Sequence, residues 1–129
     1  MSYYMNTEVK GTFEDVIGRT GEALAAEGFG VLTEIDVTAT MKKKLDVDFR
    51  NYRILGACNP PFAHKALQAE DKIGTMLPCN VIVQETSPGT VEVAAVDPIK
   101  SMAAVENSSL EPIAREIREK LERVIDALR

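Results

Sequence analysis

Four side chains in this sequence are of types that bind soft metals or carry thiol chemistry: Cys58, Cys79, Asp97 and the single histidine, His64. Two thiolates, an imidazole and a carboxylate make a workable set for tetrahedral zinc or a softer metal. Cys58 also stands directly before Asn59-Pro60-Pro61, which reads as the start of a helix, where the positive end of the dipole favours a thiolate. The spacing forms no short metal motif, because the two cysteines are far apart and no CxxC is present. Packing accounts for the same residues in another way. Free cysteine is among the most buried residue types, Asp97 before Pro98 reads as a helix cap, and His64 falls on the polar side of its helix. There is no GxSxG, no phosphate-binding glycine loop and no HExxH, so the residues raise a metal such as zinc but assign no reaction.

For these groups to meet, the elements around them must bring their ends to one rim. Alternation predicts strands over Tyr3–Val9, Val31–Val37, Tyr52–Cys58, Cys79–Glu85 and Thr90–Val96, the last two joined by a loop at Thr86–Gly89. A first helix starts at a capping box of Thr12 and Asp15, buries Phe13, Val16, Ile17 and Leu24, and ends near Gly28. Gly18 and Gly21 weaken it, and a close approach to the sheet would account for them. A helical turn is expected around Ala39–Leu45. A helix capped by Asn59 runs from Pro60 to about Asp71 with Phe62, Ala63, Ala66 and Leu67 buried. Asp97-Pro98 opens a short helix.

The last helix carries the clearest signal. Leu110, Ile113, Ala114, Ile117, Leu121, Val124, Ile125 and Leu128 make one apolar stripe. Ser108 and Glu111 form its capping box, and Glu111/Arg115, Glu116/Lys120 and Glu119/Arg123 are pairs at spacing four.

This order gives an α+β fold, β-α-β4-α, with strands two to five as an antiparallel meander and the helices on one face. Parity turns Val81, Val83, Val91, Val93 and Ala95 inward, and puts Cys58 on the inward side behind Ile54 and Gly56. The outward set mixes Glu34, Asp36, Arg53, Gln84 and Glu92 with Leu32, Leu55, Ile82, Ala94 and Val96. So apolar an open face predicts a homodimer. In such a meander the end of strand three, the start of strand four and the end of strand five share a rim. Cys58, Cys79 and Asp97 meet there, and His64 lies on the helix that leaves it.

A chain of 129 residues, 45% hydrophobic and 27% charged, fits one folded domain over 1–129. A net charge of −5 argues against nucleic acid, and the basic run Lys42-Lys43-Lys44 reads as a solvated helix face. The first ten residues do not resemble a signal peptide and no apolar run approaches a membrane span. A cytoplasmic protein with reduced cysteines and no membrane partner is expected.

The stretches GACNPPFAHKAL (Gly56–Leu67), IGTMLPCNVIV (Ile73–Val83) and VDP (Val96–Pro98), extended by EIDVTATMKKKLDVDFRNYRILGACNP (Glu34–Pro60), resemble the bacterial and archaeal domain-of-unknown-function family 302. The resemblance implies the same strand–helix–four-strand–helix order, a TATA-binding-protein-like architecture and a dimer. It implies no activity. Its motif positions fall on Cys58, Asn59, Pro60, His64, Pro78, Cys79, Asp97 and Pro98, with Asn80 closing the LPCN stretch.

Three functions are thus expected as alternatives. One is a thiol or metal site at the rim, built on Cys58, Cys79, His64 and Asp97. Another is a small apolar ligand held between the C-terminal helix and the sheet, near Met76, Met102, Ala103 and Ala104. The third is a structural or regulatory homodimer working through its open face.

Overall fold

The computed structural model describes residues 2–129. Five strands, β1 (Tyr4–Val9), β2 (Gly30–Asp36), β3 (Tyr52–Cys58), β4 (Cys79–Ser87) and β5 (Thr90–Val96), form one antiparallel sheet in the order β1-β5-β4-β3-β2. Strands β2 to β5 are the expected meander. β1 pairs with β5, so the chain crosses the sheet through α1 (Phe13–Ala26) to enter β2 at the far edge. The other helices are α2 (Val37–Leu45), α3 (Pro60–Ala69), α4 (Pro98–Ser101) and α5 (Leu110–Leu128), and a 3-10 turn at Ile73–Met76 precedes β4.

Local chemistry sets most of these boundaries. The Asp15 N–H donates to Thr12 Oγ1 at 3.2 Å to open α1, and Gly28 leaves it at φ +84°. The Ala39 N–H donates to Asp36 Oδ1 at 2.9 Å to open α2. Pro88-Gly89 closes the β4–β5 hairpin with Gly89 at φ +82°. The capping box expected at Ser108 does not form. Asn107 holds that corner instead, accepting the Ser109 N–H at 3.0 Å and donating from Nδ2 to the Ala69 carbonyl at 2.7 Å. Nothing comes within 4 Å of the place a Cβ would occupy at Gly18 or Gly21, so α1 does not owe them to a close approach.

The apolar stripe of α5 packs as its spacing requires. Ile117, Leu121, Val124, Ile125 and Leu128 join Phe13, Val16 and Leu24 of α1 over the inward set Val81, Val83, Val91, Val93 and Ala95. Of the expected pairs on the outer side of α5, Arg115 meets Glu111 at 2.8 Å, whereas Arg123 reaches Glu27 at 2.9 Å and Lys120 lies over the Phe62 ring.

Strand β3 has the opposite parity to the one expected. The register Leu55↔Val81 and Arg53↔Val83 turns Arg53, Leu55 and Ala57 toward the helices, and leaves Ile54 and Gly56 in line with the open face, the alternation ending before Cys58 at the strand end. β2 follows β3. Its register shifts between Val31 and Thr33, leaving Leu32 as the extra residue of a bulge, and beyond it Glu34 and Asp36 pair with Leu55 and Arg53 on the helix side. Arg53 is tolerated there because acids surround it. Its guanidinium lies 3.1 Å from Glu14, 3.1 Å from Glu34 and 3.6 Å from Asp36, and 5.4 Å from the centroid of the Phe13 ring. The open face therefore carries Ile35, Ile54, Ile82, Ala94 and Val96 with Tyr4 and Tyr52, but not Leu55.

Candidate functional site

The rim forms as the meander requires. Ala57 is registered with Cys79, and Val81 with Ala95, so Cys58, Cys79 and Asp97 lie at neighbouring strand ends. Their chemistry does not converge. Asp97, 5% exposed, accepts the Ile99 N–H on Oδ1 at 3.0 Å to cap α4, and the Nε–H of Arg118 on Oδ2 at 3.0 Å. Both carboxylate oxygens are thus engaged. His64 is exposed on the outside of α3, about 100° around the helix from the inward-facing Ala63. Among the described residues no three His, Cys, Asp or Glu side chains gather as a metal-binding group, so the zinc set of Cys58, His64, Cys79 and Asp97 is not assembled.

The two thiols remain free. Register puts Cys58 one residue beyond the partner of Cys79 and on the alternate pleat, which disfavours a direct disulfide. Burial, and to a lesser degree the neighbouring Cys58, pushes the Cys79 thiol up to about 11, so it stays protonated and a poor nucleophile at neutral pH. Cys58 is half-buried and the more accessible of the two. The helix start after it offers no free amide. Pro60 and Pro61 have no N–H, and the Phe62 and Ala63 N–H groups both donate to the Asn59 carbonyl at 3.1 and 2.9 Å. The Asn59 side chain does not cap α3 either; its Nδ2 donates to the Glu27 carbonyl at 3.2 Å and ties α3 to the end of α1.

What the rim does hold is a cavity of about 310 Å³. It opens where the main core fails to meet a smaller apolar cluster of Ala66, Ile73 and Leu110 beneath α3 and α5. Small residues keep the walls apart: Ala57 on β3, Ala63 and Ala66 on α3, Gly74 in the 3-10 turn and Ala114 on α5. Phe29, Phe62, Leu77, Met102, Ile113 and Ile117 give the remaining wall its apolar character. No charged side chain lines it, and Asn59 with the two thiols are its only polar side chains. Leu67, expected to be buried, lines this wall and is 44% exposed. Met76, Ala103 and Ala104 are not among its lining residues, although Met102 is.

All three stretches that carried the family resemblance contribute to the wall, through Cys58 and Asn59, Pro78 and Cys79, and Pro98. Pro60, His64, Asn80 and Asp97 stand outside it. At Gly56 a Cβ would collide with Thr33 Oγ1 and come within 2.8 Å of Pro78 Cγ, so a bare backbone lets the turn before β4 close against β3. The cavity itself was hidden from sequence reasoning. The sequence signal for it is slight: Ala63 and Ala66 on the inner side of α3 and Ala114 on that of α5.

An α+β sheet with its helices on one face and an apolar cavity at the rim thus defines the protein as a class. Residues 5–128 match the family described as Domain of unknown function DUF302, and the chain belongs to that family. It is similar to a solved structure, "Crystal structure of uncharacterized conserved protein DUF302 from Bacillus stearothermophilus", at 29% identity and a TM-score of 0.91, over 100% of both chains. No curated protein matches the sequence. Among the described residues no helix is long and apolar enough to cross a membrane.

Proposed function

We propose that this protein is a binding module that takes a small apolar molecule into the cavity between α3, α5 and the end of the sheet. The observation that carries this reading is a cavity of about 310 Å³ with no charged side chain in its wall. That volume falls within the range of small-molecule sites, which are mostly apolar with a few polar groups to fix orientation. A cytoplasmic setting agrees with the two free cysteines.

The test is direct because the chain has no tryptophan to obscure a fluorescent probe. Aminoanthracene, a neutral apolar fluorophore, is expected to bind saturably with a blue shift. Ala63→Phe, which puts a ring into empty space, should abolish binding while the protein stays folded. Absence of saturable binding by the wild type, or binding that ignores Ala63→Phe, would overturn the reading.

A specific observation favours homodimerisation as a second property. Ile54, Ile82, Ala94 and Val96 occupy the centre of the open face, and the depression there is lined only by strand residues and Tyr3. A second copy presents the same apolar centre and makes an isologous contact. Ala94 is 9% exposed and the other three are half-buried, so burying roughly 200 Å² of apolar surface per subunit at ~25 cal/mol per Å² contributes about 5 kcal/mol per subunit before association costs. Sedimentation should show a wild-type dimer and a monomeric Ile82→Lys. A monomeric wild type, or an undisturbed variant dimer, would exclude this face.

A further inference from the structure

We infer that the occupant of the cavity is an amphiphile with an alkyl chain and a carboxylate head, the head being held by Lys65 and Lys120. This inference rests on the binding-module reading and adds the chemical class of the ligand. Phe62 belongs to the cavity wall, and two ammonium groups from different helices stand over its ring: Lys65 Nζ of α3 at 5.3 Å from the centroid and Lys120 Nζ of α5 at 5.7 Å. Among the described residues neither lysine has a carboxylate within 4.0 Å. For Lys120 this departs from the helix-surface pattern, since Glu116 lies at spacing four, yet the half-buried side chain turns to the ring instead.

A phenyl quadrupole offsets little of the charge of two neighbouring cations. Two cations brought to one ring, with no carboxylate within 4.0 Å among the described residues, leave room for an anionic partner. Neither lysine is among the cavity's lining residues, and the cavity that Phe62 helps to wall has no charge of its own. A ligand satisfying both features has an apolar tail and one anionic end. At about 30 Å³ for each water- or methylene-sized group, 310 Å³ holds a chain of about ten carbons.

The experiment is displacement of aminoanthracene by decanoate and by decanol, which share the tail and differ in the head. Decanoate should displace the probe at about tenfold lower concentration, as two partly solvated ion pairs allow. That preference should shrink in about 1 M salt, where charges are screened beyond about 3 Å. The double variant Lys65→Gln/Lys120→Gln should lose the preference for decanoate and keep the affinity for decanol, which also shows that it is folded. Equal displacement by the two compounds in the wild type, or a preference that survives the double variant, would overturn the carboxylate assignment and leave the apolar module standing. Failure of the wild type to bind aminoanthracene would remove the module, and this inference with it.

Discussion

Leu121→Ala is expected to destabilise the protein by about 3–5 kcal/mol and to lower its melting temperature by roughly 10–20 °C. Leu121 is 0% exposed at the middle of α5, in the main core with Val81, Val83, Val91 and Val93 from the sheet and Val16 and Leu24 from α1. Truncation removes apolar contacts and leaves a void that flanking elements cannot fill, because α5 is held along its length by α1, β1, β5, α3 and α4. Glu119→Ala, two residues away and exposed, is the control and should stay within about 0.5 kcal/mol. Urea unfolding with an unchanged m-value checks the result. A loss below about 1 kcal/mol would show that α5 does not carry the core.

The legibility of α5 has a physical cause that also marks where sequence reading stops. Its stripe fits a single helical face, and in β4 and β5 the polar Gln84 and Glu92 mark the outward parity against Val81, Val83, Val91 and Val93, although Ile82 and Ala94 share the outward side. β3 offers no such contrast, since Ile54 and Leu55 are both apolar and either could face the core. The choice falls to Arg53, which a sequence reading sends to solvent because its three acidic partners come from other elements. The bulge at Leu32 then reverses the rest of β2, and no local signal in GVLTEID announces it. At the rim, topology alone was enough to bring Cys58, Cys79 and Asp97 together. Helical spacing already put His64 on the polar side of α3, where it is exposed, but nothing local could find Arg118, the partner of Asp97 from across the fold. Cavities are legible least of all, being the gap left when separate clusters pack without touching.

Asp97 joins fold and site, and its replacement gives the other large expected effect. Asp97→Ala is expected to cost about 2–4 kcal/mol. Loss of the cap on Ile99 accounts for about 1 kcal/mol. The remainder comes from leaving Arg118 beside a buried vacancy, reduced from the full cost of a broken buried pair because the Arg118 side chain is 34% exposed and keeps Glu122 at 3.0 Å. The Asp97 hydrogen bond, with support from Glu122, raises the Arg118 pKa, so the guanidinium stays charged throughout the ordinary pH range. Asp97→Asn separates the two parts, since asparagine caps a helix about as well as aspartate but carries no charge. Combined with Arg118→Met in a double-mutant cycle, it should give a coupling energy of about 1–2 kcal/mol. A coupling near zero would reduce Asp97 to a cap. The pair also bears on the proposed ligand site, because Asp97 fixes the start of α4 and Pro98, the next residue, is part of the cavity wall. Asp97→Ala should therefore weaken aminoanthracene binding by more than Asp97→Asn, in which the cap survives. Equal affinities in the two variants would detach the wall from the cap and leave the ion pair as a feature of stability only.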